Sequence, residues 1–205
     1  MTKKKIPDII IGRLPLYLRA LNRMCLEDKV VASSKELGAW VGISPAQIRK
    51  DISQFGEFGK QGTGYNIKFL SEKLKEILHV DRVWEVAIVG MGDIGRGLAR
   101  YNGFLERGFQ VSLAFDNNPD VIGKKISNVI VQDVSEMISA INEAEIKMAM
   151  LAVPADNAQE VADELAKTSV KAILNYATIC INMPEDVRVQ YIDPATHLQW
   201  MTYYL

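Results

Sequence analysis

Val86-Ala87-Ile88-Val89-Gly90-Met91-Gly92-Asp93-Ile94-Gly95 is an apolar run that stops on a glycine-spaced turn. Four consecutive apolar residues suit a strand buried on both faces. The G-x-G-x-x-G turn then opens a helix, and the next apolar run, Val111-Ser112-Leu113-Ala114-Phe115, is closed by Asp116, 21 residues after Gly95. Strand, glycine turn, helix, strand and acid in that order are the fingerprint of a dinucleotide-binding unit. Gly90 permits the tight turn, Gly92 lets the backbone approach a pyrophosphate, and Gly95 lets helix and strand pack closely. Met91, Asp93 and Ile94 complete a loop whose helix end offers N–H groups to an anion. Asp116 is placed to accept hydrogen bonds from both hydroxyls of an adenosine ribose. Its charge repels a 2′-phosphate, and Asn117-Asn118 bring no arginine to reverse that, so NADH or NAD+ is favoured over the NADP pair. A glycine turn used only for packing, or a site for S-adenosylmethionine or another adenine nucleotide, are the alternatives. Asp93 inside the loop opposes a bound anion unless it points away.

Working outward from that stretch, the helix is expected to run on to about Arg107. Strand-like runs follow at 148–153, 172–174 and 187–192, separated by helical segments at 133–143 and 155–167. Alternating strands and helices imply a Rossmann-type parallel sheet covered on both faces, over residues 81–192. Val153 and Pro154 end a strand at the edge where such a sheet binds ligands, and suit either the nicotinamide pocket or an ordinary strand-to-helix proline. Residues 193–205 read as a last helix, with Leu198, Met201 and Leu205 at helical spacing beside Trp200. That face fits a subunit contact, or a cover for the chain's own sheet.

Upstream of Asp81 the texture is different. A helix is expected over 8–28, with Pro15 kinking it or breaking its first turn. Ser33-Ser34-Lys35-Glu36 offers a capping box to a short helix that Gly42 ends. Ser44-Pro45-Ala46-Gln47 repeats the device for a third helix running to about Phe55. Gln47, Lys50 and Gln54 should share roughly one face, flanked by Arg49 and Ser53, all residue types that reach base edges and phosphates. The glycine- and aromatic-rich stretch Phe55–Tyr65 then suits a β-ribbon, from which Lys60 and Gln61 would enter a minor groove or clamp phosphates. A further helix is expected at about 70–79. Residues 1–80 therefore read as a winged-helix DNA-binding domain; a solvated polar helix face is the bland alternative.

Charge agrees with that division. Residues 1–80 hold 14 Lys/Arg against 8 Asp/Glu, and residues 81–205 hold 10 against 17, so a net of +6 is carried on a body of −7. A polyanion partner is implied for the N-terminal part alone. No apolar run has the length of a membrane span, and no apolar stretch of a signal peptide follows the first lysines. Cys25 and Cys180 give neither a disulfide framework nor zinc spacing, so no metal is expected and the cytoplasm is the expected compartment. Cys25 falls on the apolar side of the first helix and reads as core, with a redox switch as the alternative. The 110 residues after the glycine loop are consumed by the sheet. They show no histidine, lysine or Ser-Tyr-Lys arrangement for acid–base work, which weighs against the alternative of a small NAD-dependent oxidoreductase.

The string Ser44–Tyr65, with Arg49-Lys50-Asp51 and the wing ending in Tyr65, resembles the Rex redox-sensing repressors. So do Val89–Gly95 with Phe115-Asp116, Ile173-Leu174-Asn175-Tyr176-Ala177, and the closing Tyr203-Tyr204-Leu205. The resemblance implies a homodimer with a C-terminal helix swapped between subunits. It implies binding to palindromic operator DNA when NADH is scarce, and release when NADH rises. It brings Asn175 and Tyr101 into the cofactor site, Tyr65 into the DNA contact, and Arg19, Tyr101 and Asp193 together as a trio coupling domains and subunits. Read from the residues alone, Arg19 is equally a surface charge, Tyr101 equally core packing, and Asp193 equally a helix cap before Pro194. Some members carry a basic or neutral residue where this chain has Asp93, and a larger apolar residue where it has Pro194.

Overall fold

The computed structural model describes residues 6–60 and 62–205, with the backbone alone at Lys60; Gln61 lies outside the described residues. The chain divides into two units, one ending at Arg82 and the other starting at Val83.

The first unit opens with α1 (Asp8–Ile11) and α2 (Leu14–Leu26). The helix expected over 8–28 is thus two helices. It breaks at Gly12 and Arg13, because Pro15 has no N–H to continue a ladder and is accommodated only in a first turn. After β1 (Val31–Ala32) comes α3 (Ser34–Val41). Here Ser33 Oγ accepts from the Glu36 N–H at 3.1 Å, while Glu36 accepts from the Ser33 N–H at 2.8 Å. These hydrogen bonds hold the Glu36 carboxyl below its ordinary pKa. Helix α4 (Pro45–Ile52) is capped by Ser44 and stops short of Phe55. The ribbon β2 (Gly59–Lys60) and β3 (Gly64–Asn66) joins β1 in an antiparallel sheet of order β1-β3-β2. Helix α5 (Ile67–Leu78) starts earlier than its apolar periodicity suggests, because Asn66 caps it by accepting from the Phe69 N–H at 2.9 Å. Leu14, Tyr17, Leu21, Met24, Leu37, Ile48, Leu70 and Leu74 form a fully buried core.

One charged side chain lies inside that core. Asp51 of α4 is completely buried and accepts four hydrogen bonds: from Arg13 Nε at 2.6 Å, Arg13 Nη2 at 2.7 Å, Tyr17 Oη at 2.7 Å and Gln47 Nε2 at 2.7 Å. Burial alone would raise its pKa; the bonds from Arg13, Tyr17 and Gln47 outweigh it and hold the carboxyl below its usual range.

In the second unit β4 (Trp84–Val89) leads through the glycine loop into α6 (Asp93–Ala99). The helix does not reach Arg107. Asn102 and Gly103 are poor helix formers, and the chain turns instead into a 3₁₀ helix, Asn102–Arg107. There follow β5 (Phe109–Asp116), β6 (Lys125–Ile126), β7 (Val129–Asp133), α7 (Met137–Glu143), β8 (Met148–Leu151) and α8 (Ala155–Leu165). The unit closes with β9 (Ala172–Asn175), β10 (Arg188–Tyr191) and α9 (Pro194–Thr202). The seven strands run in the order β10-β9-β8-β4-β5-β7-β6, parallel except for the β6–β7 hairpin. The hairpin was unforeseen, although Val129-Ile130-Val131 after Ser127-Asn128 is a turn followed by an apolar run. Alternate residues feed two cores. Ala87, Val89, Phe115 and Leu151 lie on one face, and Val86, Ile88, Ala114 and Met150 on the other. Strand β4 neighbours β5 on one side and β8 on the other, so the winding direction reverses there and leaves a crevice at their C-terminal ends.

Replacing Asp51 with Asn should cost about 3 kcal/mol, because it takes the charged partner from the half-buried Arg13 guanidinium and puts an amide where Tyr17 and Gln47 donate inside the core. The loss is read as a lowered urea midpoint at unchanged slope. Since the folded carboxyl titrates below the unfolded one, its stabilisation is complete above the ordinary carboxylate range and drains away as pH falls through the lower value. The gap between wild type and D51N should therefore narrow below about pH 4.

Candidate functional site

The crevice holds a cleft of about 830 Å³. The loop at its floor is shaped by its glycines. Gly90 has φ +94°, and a Cβ there would fall 2.6 Å from the Ala152 carbonyl oxygen. A Cβ on Gly95 would fall 1.9 Å from the Gly90 oxygen, so only glycine lets α6 approach β4 this closely. Gly92 is the reverse case: a Cβ there meets nothing within 4 Å, since its missing side chain faces the open cleft. Gly90, Met91, Gly92, Asp93 and Ile94 line the cleft, whereas Gly95 is buried behind it.

Asp116 is half-buried at the end of β5. Its Oδ2 accepts from the Met91 N–H at 2.6 Å and its Oδ1 from the Asn118 N–H at 2.8 Å. The acid foreseen for a ribose is thus tied directly to the glycine loop. Asp93 lies exposed on the cleft wall. Arg96, one turn further along α6, also lines the cleft and donates from Nε to the Met91 carbonyl at 2.8 Å. Sequence reading passed over Arg96 because it follows the motif; its reach back to the loop exists only once the helix has turned. Beyond Asp116, Val121, Val134 and Ile138 give the cleft an apolar slot. On the β8 side Val153 and Pro154 line it together with Asn157, Glu160, Val161 and Glu164. The last four, at i, i+3, i+4 and i+7, share one face of α8 and were legible by helical period from Pro154.

Asn175 and Tyr101 are not among the cleft-lining residues. Asn175 is buried, donates to the Ile179 carbonyl at 3.0 Å and accepts from the Ala177 N–H at 2.8 Å, fixing the loop after β9. Tyr101 is 46% exposed, packed edge-on against Phe104 with the Arg107 guanidinium over its ring. Asp193 caps α9, accepting from Thr196 Oγ1 and from the Ala195 N–H, each at 2.9 Å, and these bonds lower its pKa. Arg19 is exposed on α2.

In the first unit α4 presents an outward face different from the expected one. Ala46, Arg49, Lys50 and Ser53 are exposed, whereas Gln47 and Gln54 are half-buried. Asp51 causes the difference. An ionised carboxylate only accepts, so it draws the Gln47 amide nitrogen, four residues back, towards the core. Gln54 and Ser53 turn back onto the Lys50 carbonyl. Arg49 donates from Nη1 to Ser34 Oγ at 2.8 Å and, with Ser33, Ser34, Gly59, Gly64 and Tyr65, borders a hollow of about 590 Å³. Burial raises the Tyr65 phenol pKa, and the Arg49 charge partly offsets that. A guanidinium and a phenol thus border the hollow beside the capped start of α3. The Lys60 side chain and Gln61 lie outside the described residues. Cys25 is exposed, not core, as is Cys180. Among the described residues no group of His, Cys, Asp and Glu is arranged to hold a metal, and no helix is long and apolar enough to cross a membrane.

Known proteins match both units. A family model described as a CoA binding domain matches residues 81–179, and one for the N-terminus of a DNA-binding protein matches residues 5–53. The redox-sensing transcriptional repressor Rex of Chloroflexus aurantiacus is 48% identical over 199 residues, 97% of this chain and 94% of that protein. Among solved structures, RSP, a Rex-family repressor, matches in its complex with β-NAD+ and operator DNA with a TM-score of 0.92 at 36% identity, over 98% of this chain and 93% of that one. Its complex with β-NADH gives 0.89 at 34% identity, over 98% and 94%. Likeness of this degree from end to end, through reader and cleft alike, makes the chain a member of the Rex family of redox-sensing transcriptional repressors.

Proposed function

We propose that this protein represses transcription by binding palindromic operator DNA as a homodimer, and leaves the operator when NADH fills the cleft between β4, β5 and β8. Residues 1–80 are the reader, 81–192 the sensor and 193–205 the dimerisation helix. The observation that carries the reading is Asp116, held on the Met91 N–H where the ribose of a nucleotide on the glycine loop must lie. Its charge also disfavours CoA and NADP, both of which carry a phosphate on that ribose. The oxidised nicotinamide is cationic and the reduced ring neutral, so the apolar edge of Val153 and Pro154 penalises the oxidised form. The oxidoreductase alternative falls to the family, whose members are repressors. A protein that reads both DNA and the nicotinamide pool works where both are found, in the cytoplasm.

On the DNA side, Lys50 and Ser53 face the major groove, and Arg49 binds a backbone phosphate in the hollow beside Ser34. Gln47 and Gln54 flank that face, while Lys60, Gln61 and Tyr65 belong to the wing contact. Two-fold symmetry sets the half-sites about one or two turns of duplex apart. Leu198 (63% exposed), Trp200 (65%) and Met201 (55%) of α9 stand largely uncovered among the described residues and suit a helix swapped onto a second copy. Arg19, Tyr101 and Asp193 couple sensor to reader. Asp193 already holds the first turn of α9, so a change in its partners shifts that turn.

Anisotropy of a labelled palindromic duplex, titrated with NADH and separately with NAD+, tests the reading: NADH should release the protein at concentrations where NAD+ does little. Asp116→Ala should bind the duplex as wild type does yet need at least about tenfold more NADH for release, the worth of one charged hydrogen bond. An unchanged NADH response would refute the ribose assignment. Arg49→Ala should weaken binding to all sequences alike and reduce the salt slope by about one, whereas Lys50→Ala should cost about 1–3 kcal/mol and relax base preference. Trp200→Glu should sediment as a monomer and lose the palindrome.

A further inference from the structure

We infer that Arg96, rather than any residue within the glycine loop, supplies the positive charge that grips the nucleotide pyrophosphate, and that it does so against an opposing charge on Asp93. The inference rests on the nucleotide reading above. Arg96 is the single cation among the residues lining the cleft, which also include the carboxylates of Asp93, Asp116, Glu160 and Glu164. Two of those acids are already engaged: Asp116 by two backbone N–H groups and Glu164 by Lys167. Asp93 and Glu160 are not, neither having a hydrogen bond or an ion pair among the described residues; Glu160 stands on α8 across the cleft, and Asp93 stands exposed on the loop where a dianion must come. A loop with that charge needs a compensating cation nearby.

The position of Arg96 fits the task. Its Nε is spent on the Met91 carbonyl at 2.8 Å, which folds the side chain back over the loop instead of out along α6. The two terminal nitrogens make no hydrogen bond among the described residues, although the side chain is half-buried in the cleft wall. Charged donors held in a cleft without an acceptor call for an anionic one. With Nε fixed, the remaining fork is preorganised to take two non-bridging phosphate oxygens, a geometry that an ammonium cannot copy. Met91 is then gripped at both ends, its N–H by Asp116 and its carbonyl by Arg96, so ribose acid and phosphate base share one residue. Arg96 therefore sets both the shape and the charge of the loop.

Calorimetric titration of wild type, Arg96→Gln, Arg96→Lys and Asp93→Asn with NADH, ADP and adenosine separates the two roles. Arg96→Gln should weaken NADH and ADP by about 10- to 100-fold, the range expected for charge-assisted hydrogen bonds. It should leave adenosine within about twofold. Arg96→Lys should fall between, and Asp93→Asn should tighten NADH and ADP while leaving adenosine unchanged. Equal losses for ADP and adenosine in Arg96→Gln would reduce Arg96 to a brace for Met91 and overturn the inference, as would unchanged ADP and NADH binding. Failure of wild type to bind NADH at all would overturn the nucleotide reading, and this inference with it.

Discussion

The buried carboxylate of Asp51 is the constraint from which the DNA reader takes its form. Four donors converge on it, two from Arg13 between α1 and α2, one from Tyr17 and one from Gln47. A lone charge so enclosed would be expensive, and here the bidentate guanidinium and two neutral donors meet the cost. The result is directional in a way that apolar packing is not. Ile48 and Ile52 alone would let α4 roll by part of a turn, since a hydrophobic face tolerates rotation. Four hydrogen bonds at fixed angles do not. The rotation of α4 decides that Ala46, Arg49, Lys50 and Ser53 look outward, and so decides which side chains can meet a groove. The orientation of α4 and the packing of the unit here rest on one residue.

The second unit uses an aspartate in a related way. Asp116 fastens the glycine loop by accepting from Met91, and Arg96 fastens the same residue from its carbonyl side. A glycine-rich loop left to itself has many conformations to lose when a ligand arrives. Holding Met91 at both its N–H and its carbonyl removes part of that cost in advance, while the close contacts at Gly90 and Gly95 keep α6 seated on β4. The cleft is therefore a preformed shape with its charges already set.

Much of this was legible before any coordinates. The glycine spacing with Asp116 at its set distance is a pattern that few other folds require, and the capping residues Ser33, Ser44 and Gly42 announce helix ends by local chemistry alone. What escaped notice has a common cause. Arg96 acts five residues back across a helical turn, Asp51 acts on residues 34 and 38 positions earlier, and Asn157 to Glu164 line the cleft only because α8 packs beside β8. Asp51 in particular was visible merely as the third letter of Arg49-Lys50-Asp51, where a surface acid and a core acid look alike. Cys25 failed for the opposite reason. Helical spacing put it near the apolar side, but Leu21 and Met24 fill that side and leave Cys25 facing water. Periodicity gives a direction around a helix; only packing tells where the buried arc stops.

A sensor needs its two sites to bias the same element, and α9 is suited to that role. Its apolar side chains lie exposed in the single subunit, and each of the large ones is worth about 1.5–3 kcal/mol if a second copy buries it. Burial of α9 by a second copy would make its position costly to change. Asp193 holds its first turn through Ala195 and Thr196, so on the proposed function a shift at that carboxylate would be a shift of the subunit contact. The rest follows from thermodynamic reciprocity. Whatever factor NADH imposes on operator affinity, the operator must impose on NADH affinity. On the proposed function, the half-site geometry read through Arg49 and Lys50 and the ribose held by Asp116 would be two arms of one equilibrium. Neither affinity can be tuned in sequence without moving the concentration of NADH at which the other responds.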